Sequence, residues 1–195
     1  EPFLKQVAHR IAEENPQGMD SVAVVFNNWR SGLFLRQQFA QMEKPSFFLP
    51  QILGIDDLVS QLSDLQIIPH EFLMFELFKI HCKLQEAEAE GGEQPRFEDF
   101  MSLAEMMLSD FSEIDLYLVD ASQLFGNLHD IKEIGEWDVT GTPRTEFQDR
   151  YLKFYKSLYT YYTQLRSSLF AQNKGYSGMA YREVAEHIEP LADNL

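Results

Sequence analysis

The sequence predicts a mainly α-helical chain with a small parallel α/β portion at its amino end. Three observations carry that expectation. The stretch VAVVFNNWRSGLFLRQQF, residues 22–39, opens on a short β-branched and aromatic run, breaks into a polar loop and continues as an amphipathic helix. A buried strand that passes through a loop into a helix is one half of a parallel α/β sheet. Past Pro69, apolar residues recur at helical spacing over long stretches with no convincing strand between them. Between two of those stretches lies EAEAEGGEQP, residues 86–95, which has the small, acidic, Gly- and Pro-containing character of a linker.

The elements follow in order. Phe3, Leu4, Val7, Ala8 and Ile11 mark a helix over 3–14, which Asn15-Pro16-Gln17-Gly18 stops. A strand over 21–26 reads as buried on both faces, because it lacks polar alternation. Asn27-Asn28-Trp29-Arg30 is the loop, and a helix over 31–42 carries Leu33, Phe34, Phe39 and Met42. Pro45 and Pro50 bracket a short extended piece, Ser46-Phe47-Phe48-Leu49. Asp56 and Asp57 favour the start of a helix carrying Leu58, Val59 and Leu62, since carboxylates suit helix amino ends.

Pro69 suits the first turn of the next helix, whose stripe is Leu73, Leu77, Ile80 and Leu84. Beyond the linker, Phe97, Phe100, Met101, Ala104, Met107, Leu108, Phe111, Ile114 and Leu118 form a continuous apolar face. A short helix over 120–126 and an irregular stretch to Pro143 come next. Thr145 and Gln148 make a capping box. It opens a helix carrying Phe147, Tyr151, Phe154, Tyr155, Leu158, Tyr162, Leu165 and Leu169. Asn173-Lys174-Gly175 stops that helix, and a last one runs from about Met179 to Ile188. The chain thus divides into a partial α/β domain, 1–68, and an all-α domain, 69–195.

A chain of 195 residues with 45% hydrophobic content supports one sizeable core or two small ones. Thirty-one acidic and sixteen basic residues give a net charge of −15. Such a surface repels phosphate backbones. Residues 86–120 concentrate it, with eleven Asp or Glu against Arg96. There is no run of 18 apolar residues and no opening signal peptide, so no membrane partner is expected. The lone Cys82 has no partner for an intramolecular disulfide and reads as a structural thiol, which fits a reducing cytoplasm.

Catalytic motifs are missing. No G-x-x-x-x-G-K-[ST] occurs, so the chain has no phosphate loop and no cofactor is expected. The triplet Asp130-Ile131-Lys132 resembles part of a metal-dependent nuclease motif, but the upstream Asp and strand hairpin that such a site needs are not visible. Asp110, Glu113 and Asp115 are spaced to line the solvated edge of a buried helix face rather than to form a catalytic pair. His9, His70, His81, His129 and His187 have no zinc-type spacing. Ser177-Gly178 lacks the G-x-S-x-G frame of a nucleophile elbow. Arg166, Lys174, Tyr176, Tyr181 and Arg182 alternate basic and aromatic character in a way that suits single-stranded nucleic acid. An aromatic helix pair with basic side chains lying along it accounts for the same pattern.

The segment 22–39 resembles the second strand, loop and helix of the helicase fold in AddB- and RecB-type recombination proteins. There a Pro-Asn-Arg-Arg-like loop follows the strand, where Asn27-Asn28-Trp29-Arg30 stands here. The extended segment KPSFFLPQILGIDDLVSQL (44–62), the helical FEDFMSLAEMMLSDFSEIDLYLVDASQLFGNL (97–128) and NKGYSGMAYREVAEHI (173–188) fit the same family. The chain is similar to the amino-terminal part of a bacterial AddB-like protein, an inactivated UvrD-type helicase fold of the PD-(D/E)XK nuclease superfamily. The resemblance implies an incomplete, P-loop-like sheet followed by a helical insertion, and no ATP hydrolysis by these residues. It also implies a nuclease domain further along the parent protein. Its partners would be double-stranded DNA ends, through the full-length protein, and an AddA-like motor subunit. Asn27 departs from the family's proline and Trp29 from an arginine, which leaves Arg30 as the phosphate ligand. Asn27, Asn28, Arg30, Arg166, Lys174 and Arg182 are the candidate nucleic-acid-binding residues. An acidic helical scaffold for a protein partner is the alternative.

Overall fold

The computed structural model describes residues 2–42, 48–88, 95–127 and 146–188. It is mainly helical with a small parallel sheet, as the sequence predicts. The chain forms two compact units, Glu1–Leu62 and Ser63–Leu195.

The first unit runs α1 (Phe3–Glu14), β1 (Ala23–Phe26), α2 (Trp29–Ala40), β2 (Gln51–Gly54) and α3 (Ile55–Leu62). β1 and β2 pair in parallel, from Ala23 opposite Gln51 to Phe26 opposite Gly54. Parallel neighbours need a crossover, and α2 supplies it, so β1–α2–β2 is a βαβ unit. Ala8 and Ala12 of α1, Met19, and Leu35 and Phe39 of α2 form the buried core, with Val24, Phe26 and Ile52 packed on it. Side chains alternate across a strand, so Ala23 and Val25 point the other way, and both are exposed. The expectation that this strand is buried on both faces is therefore corrected. A β-branched run is equally compatible with one covered face, and helices cover only the Val24–Phe26 side here.

Local signals set the other boundaries. α2 begins at Trp29, before the expected residue 31, because Asn28 caps it. The paired strand starts at Gln51, after Pro50; Phe48 and Leu49 are exposed and unpaired, and residues 43–47 lie outside the described residues. Gly32 lets α2 approach β2, since a Cβ there would sit 2.7 Å from Ile52 Cγ2. Asp57 accepts the Gly54 N–H at 3.1 Å and fixes the entry into α3.

The second unit contains β3 (Gln66–Ile67), α4 (His70–Glu88), α5 (Phe97–Leu116), α6 (121–127), α7 (Glu146–Phe170), β4 (Lys174–Gly175) and α8 (Ser177–Glu186). Leu73, Leu77 and Ile80 of α4 meet Phe100, Ala104, Met107, Leu108, Phe111 and Ile114 of α5, and Leu165 and Leu169 of α7, in one core. Met101 and Leu118, read from the sequence as part of the α5 face, are exposed instead. β3 and β4 pair in parallel over two residues, Gln66 with Lys174 and Ile67 with Gly175. That corrects the expectation of no strand beyond Pro69; a two-residue strand has no periodicity to read. It also places residues 63–68, grouped from the sequence with the first domain, in the second unit. α8 lies directly on α5: a Cβ at Gly178 would come within 2.2 Å of the Ser112 carbonyl oxygen. Asp120 Oδ1 accepts the N–H groups of Ser122 and Gln123 at 2.9 and 3.1 Å and caps α6. Thr145, most of the expected linker and the stretch to Pro143 lie outside the described residues. Among the described residues no helix is long and apolar enough to cross a membrane.

Candidate functional site

Two places gather polar side chains, one in each unit. In the first unit, the loop at the carboxyl end of β1 turns directly into α2. Asn28 Oδ1 accepts the Ser31 N–H at 3.0 Å and the Ser31 hydroxyl at 3.1 Å. Its Nδ2 donates to Asn27 Oδ1 at 2.9 Å. Both asparagine amides therefore shape the turn. What they present to solvent is Trp29, 73% exposed, and the exposed Arg30, at the positive end of the α2 dipole. Trp29, Leu33, Arg36, Ile52 and Asp57 line a shallow depression of about 210 Å³ beside this turn. Ligands of parallel α/β sheets sit at this end of the strands.

In the second unit, Asp115 is the one charged or polar side chain among the described residues that is fully buried. It stands in the last turn of α5. Its Oδ1 accepts from the Tyr162 hydroxyl at 2.6 Å, from Arg182 Nε at 2.8 Å and from Arg166 Nη1. Its Oδ2 accepts from the Tyr176 hydroxyl. A buried carboxylate is tolerated when it is paired and its lone pairs are satisfied.

The backbone around Asp115 is closed as well. Leu118 is left-handed, with φ at 54°, and ends α5. Val119 N–H reaches back to the Ile114 carbonyl at 2.9 Å and Leu118 N–H to the Asp115 carbonyl at 3.1 Å, the two bonds of a Schellman cap. Arg182 Nη2 then donates to the carbonyls of Ile114 and Val119, at 2.9 and 2.8 Å. One guanidinium from α8 thus binds both the carboxylate and two carbonyls of the cap that closes α5.

The electrostatics follow from burial. Desolvation, reinforced by the hydrogen bond to Asp115, pushes the Tyr162 hydroxyl up to about 12. Desolvation and the Asp115 charge push Tyr176 further in the same direction. For Arg182, burial works against the charge, but Asp115, Tyr162 and Glu186 outweigh it and the pKa rises. Both phenols therefore stay protonated donors and Arg182 stays charged. Asp115 thus takes three donors on Oδ1 and one on Oδ2, two from arginines and two from tyrosines. The arrangement is a clamp joining α5, α7 and α8.

The sequence placed Asp115 with Asp110 and Glu113 on a solvated helix edge. Asp110 and Glu113 are exposed, but Asp115 is not, which corrects that reading. Its partners lie 47 to 67 positions away along the chain, so no local signal marks it. Arg166 and Arg182, read as nucleic-acid candidates, are brought together on Asp115. The Arg166 guanidinium also lies over the Tyr162 and Phe170 rings, 5.3 and 5.5 Å from their centroids. Lys174 sits in β4 and donates to Gln172 Oε1 at 3.0 Å.

Elsewhere in this unit, His81 Nδ1 is 2.7 Å from the Tyr161 hydroxyl, and its ring stacks on Phe100 with centroids 4.2 Å apart. Burial lowers its pKa. Cys82 is half-buried and free. Asp130-Ile131-Lys132 and His129 lie outside the described residues. Among the described residues no group of three or more His, Cys, Asp or Glu is placed to hold a metal ion. No family model, curated protein or solved structure matches the chain.

Proposed function

We propose that this chain is a non-catalytic, helicase-like module of an AddB-type nuclease protein that processes double-stranded DNA ends in recombinational repair in the cytoplasm. Its own residues would guide DNA or dock an AddA-like motor subunit, and the nuclease chemistry would belong to another part of the parent. The observation that carries the reading is the parallel β1–α2–β2 unit with its polar turn at the carboxyl end of β1. There the capped amino end of α2 and the exposed Arg30 offer amides and a guanidinium to a phosphate. The buried Asp115 clamp fits the same reading, since a module without chemistry of its own needs rigid geometry.

The test is a salt titration of DNA affinity in the parent protein. Arg30→Ala is expected to weaken binding modestly and reduce the slope of log affinity against log salt by about one. Charge reversal at Glu98, Glu105 and Glu113 on α5 is expected to leave binding nearly unchanged. Equal affinity of the Arg30 variant at every salt concentration, with strong effects from α5, would sink the reading. A second reading, an acidic helical scaffold for a protein partner, is favoured by exposed aromatic side chains on α4, Phe72 and Phe75.

A further inference from the structure

The amino-terminal turns of α4 and α5 carry an apolar surface that the fold of the second unit does not use. Phe72 is 62% exposed, Phe75 50% and Met101 40%. They are continuous. Phe72 and Phe75 are three apart on α4 and therefore neighbours on its surface. Phe75 stacks flat on Phe97 of α5, with ring centroids 4.7 Å apart and an interplanar angle of 13°. Phe97 is held edge-on by Phe78, 5.2 Å away, and Phe78 in turn contacts Phe100 of the core. Met101 follows Phe97 by one helical turn. The exposed Phe75 ring is thus seated on half-buried ones. Exposed aromatic side chains held rigidly in one patch, with an adaptable methionine at its edge, are what interfaces use as anchors.

The charge around the patch selects its occupant. Glu71 precedes Phe72, Glu98 follows Phe97, and Glu105 lies one turn beyond Met101. Asp99, Asp110 and Glu113 continue along α5, which contains no Lys or Arg. Among the described residues, Lys79 pairs with Glu76 at 2.7 Å and Arg96 with Glu98 at 3.7 Å. A phosphate surface or an acidic protein face would be repelled, and a neutral one would leave Glu71 and Glu105 unmatched. We propose that Phe72, Phe75, Phe97 and Met101, rimmed by Glu71 and Glu105, form a docking site for a basic amphipathic helix of a partner protein. The apolar stripe of that helix covers the aromatic patch, and its Lys or Arg residues reach the carboxylate rim. This inference stands whether or not the chain contacts DNA, because it reads a different surface with a different ligand.

The probe is a fluorescein-labelled helical peptide of leucine and lysine about five turns long, titrated against the full 195-residue chain. A scrambled peptide of the same composition, which has no apolar stripe, is the control. The amphipathic peptide is expected to bind at least about ten-fold more tightly than the scrambled one. Phe72→Ala with Phe75→Ala is expected to weaken it about ten-fold. Glu71→Gln with Glu105→Gln is expected to weaken it several-fold and to flatten its salt dependence. Glu13→Gln with Asp64→Asn, two exposed acids elsewhere, is expected to change neither. These are surface substitutions, and an unchanged far-UV circular dichroism melt checks that each variant is folded. Equal binding of both peptides, or equal losses from the two acid pairs, would show general attraction to an acidic protein and overturn the proposal. A concentration-dependent dimer abolished by Phe75→Ala in sedimentation would overturn it too, by assigning the patch to a second copy.

Discussion

The two units treat charge in opposite ways. Residues 1–62 hold five basic and seven acidic side chains, whereas residues 63–195 hold eleven and twenty-four. The nearly balanced unit keeps its polar groups at the surface, at one turn between a strand and a helix. The strongly acidic unit takes one carboxylate into its core and surrounds it with two arginines and two tyrosine hydroxyls. Excess negative charge on a surface and a paired carboxylate beneath it answer different needs: the first sets which partners approach, the second sets how three helices are held. A nucleic-acid role accordingly belongs to the first unit in the reading offered above, and a protein partner to the second.

The largest expected effect tests the clamp. Asp115→Ala removes the acceptor of four donors and leaves two arginines and two tyrosines facing one another. It is expected to destabilise the second unit by about 3–5 kcal/mol, as breaking a buried ion pair does. The measurement is urea unfolding followed by tyrosine fluorescence. A change below about 1 kcal/mol would mean that water reaches Arg166 and Arg182 and that the contrast between the units is smaller than drawn.

A smaller effect tests the exposed turn. Asn28→Ala removes the cap of α2 and the hydrogen bond that orders Asn27. It is expected to cost about 1 kcal/mol, with Asn28→Asp recovering most of it. If the cap substitution were as damaging as Asp115→Ala, the turn would be buried in the assembled protein rather than open to a ligand.

The smallest concerns pH. Burial lowers the pKa of His81 below its unfolded value, so the folded state prefers the neutral ring. Its contribution is complete above the unfolded pKa of about 6.5 and is lost as the pH falls below that towards the folded value. The stability of the parent chain should therefore decline on that acid side. His81→Gln should show a shallower decline across that interval, read from unfolding midpoints at several pH values. Parallel curves for the two proteins would mean that the Phe100 stack and the Tyr161 contact accept the imidazolium.

Much of the architecture was legible in the residues themselves. α4 and α5 announce their buried faces by spacing alone, through Leu73, Leu77 and Ile80 and through Phe100, Ala104, Met107, Leu108 and Phe111. The strand–turn–helix at 22–40 was legible because β-branching, loop polarity and helical periodicity are all local. The candidate turn was readable for the same reason, though the role of Asn28 as the cap of α2 emerged only from its bond to Ser31.

By itself, the chain's order of residues determined the helical class, the strand–turn–helix at the amino end and the acidic composition, since each follows from composition or from contacts within a few residues. Tertiary structure alone decided the rest. Whether β1 is covered on one face or two depends on which helices pack against it. The pairing of Gln66–Ile67 with Lys174–Gly175 joins segments more than a hundred residues apart. The fate of Asp115 depends on Tyr162, Arg166, Tyr176 and Arg182 arriving together. A carboxylate on a helix is the same letter in solvent or in a core. Only the donors that the folded chain brings to it determine which environment it can occupy.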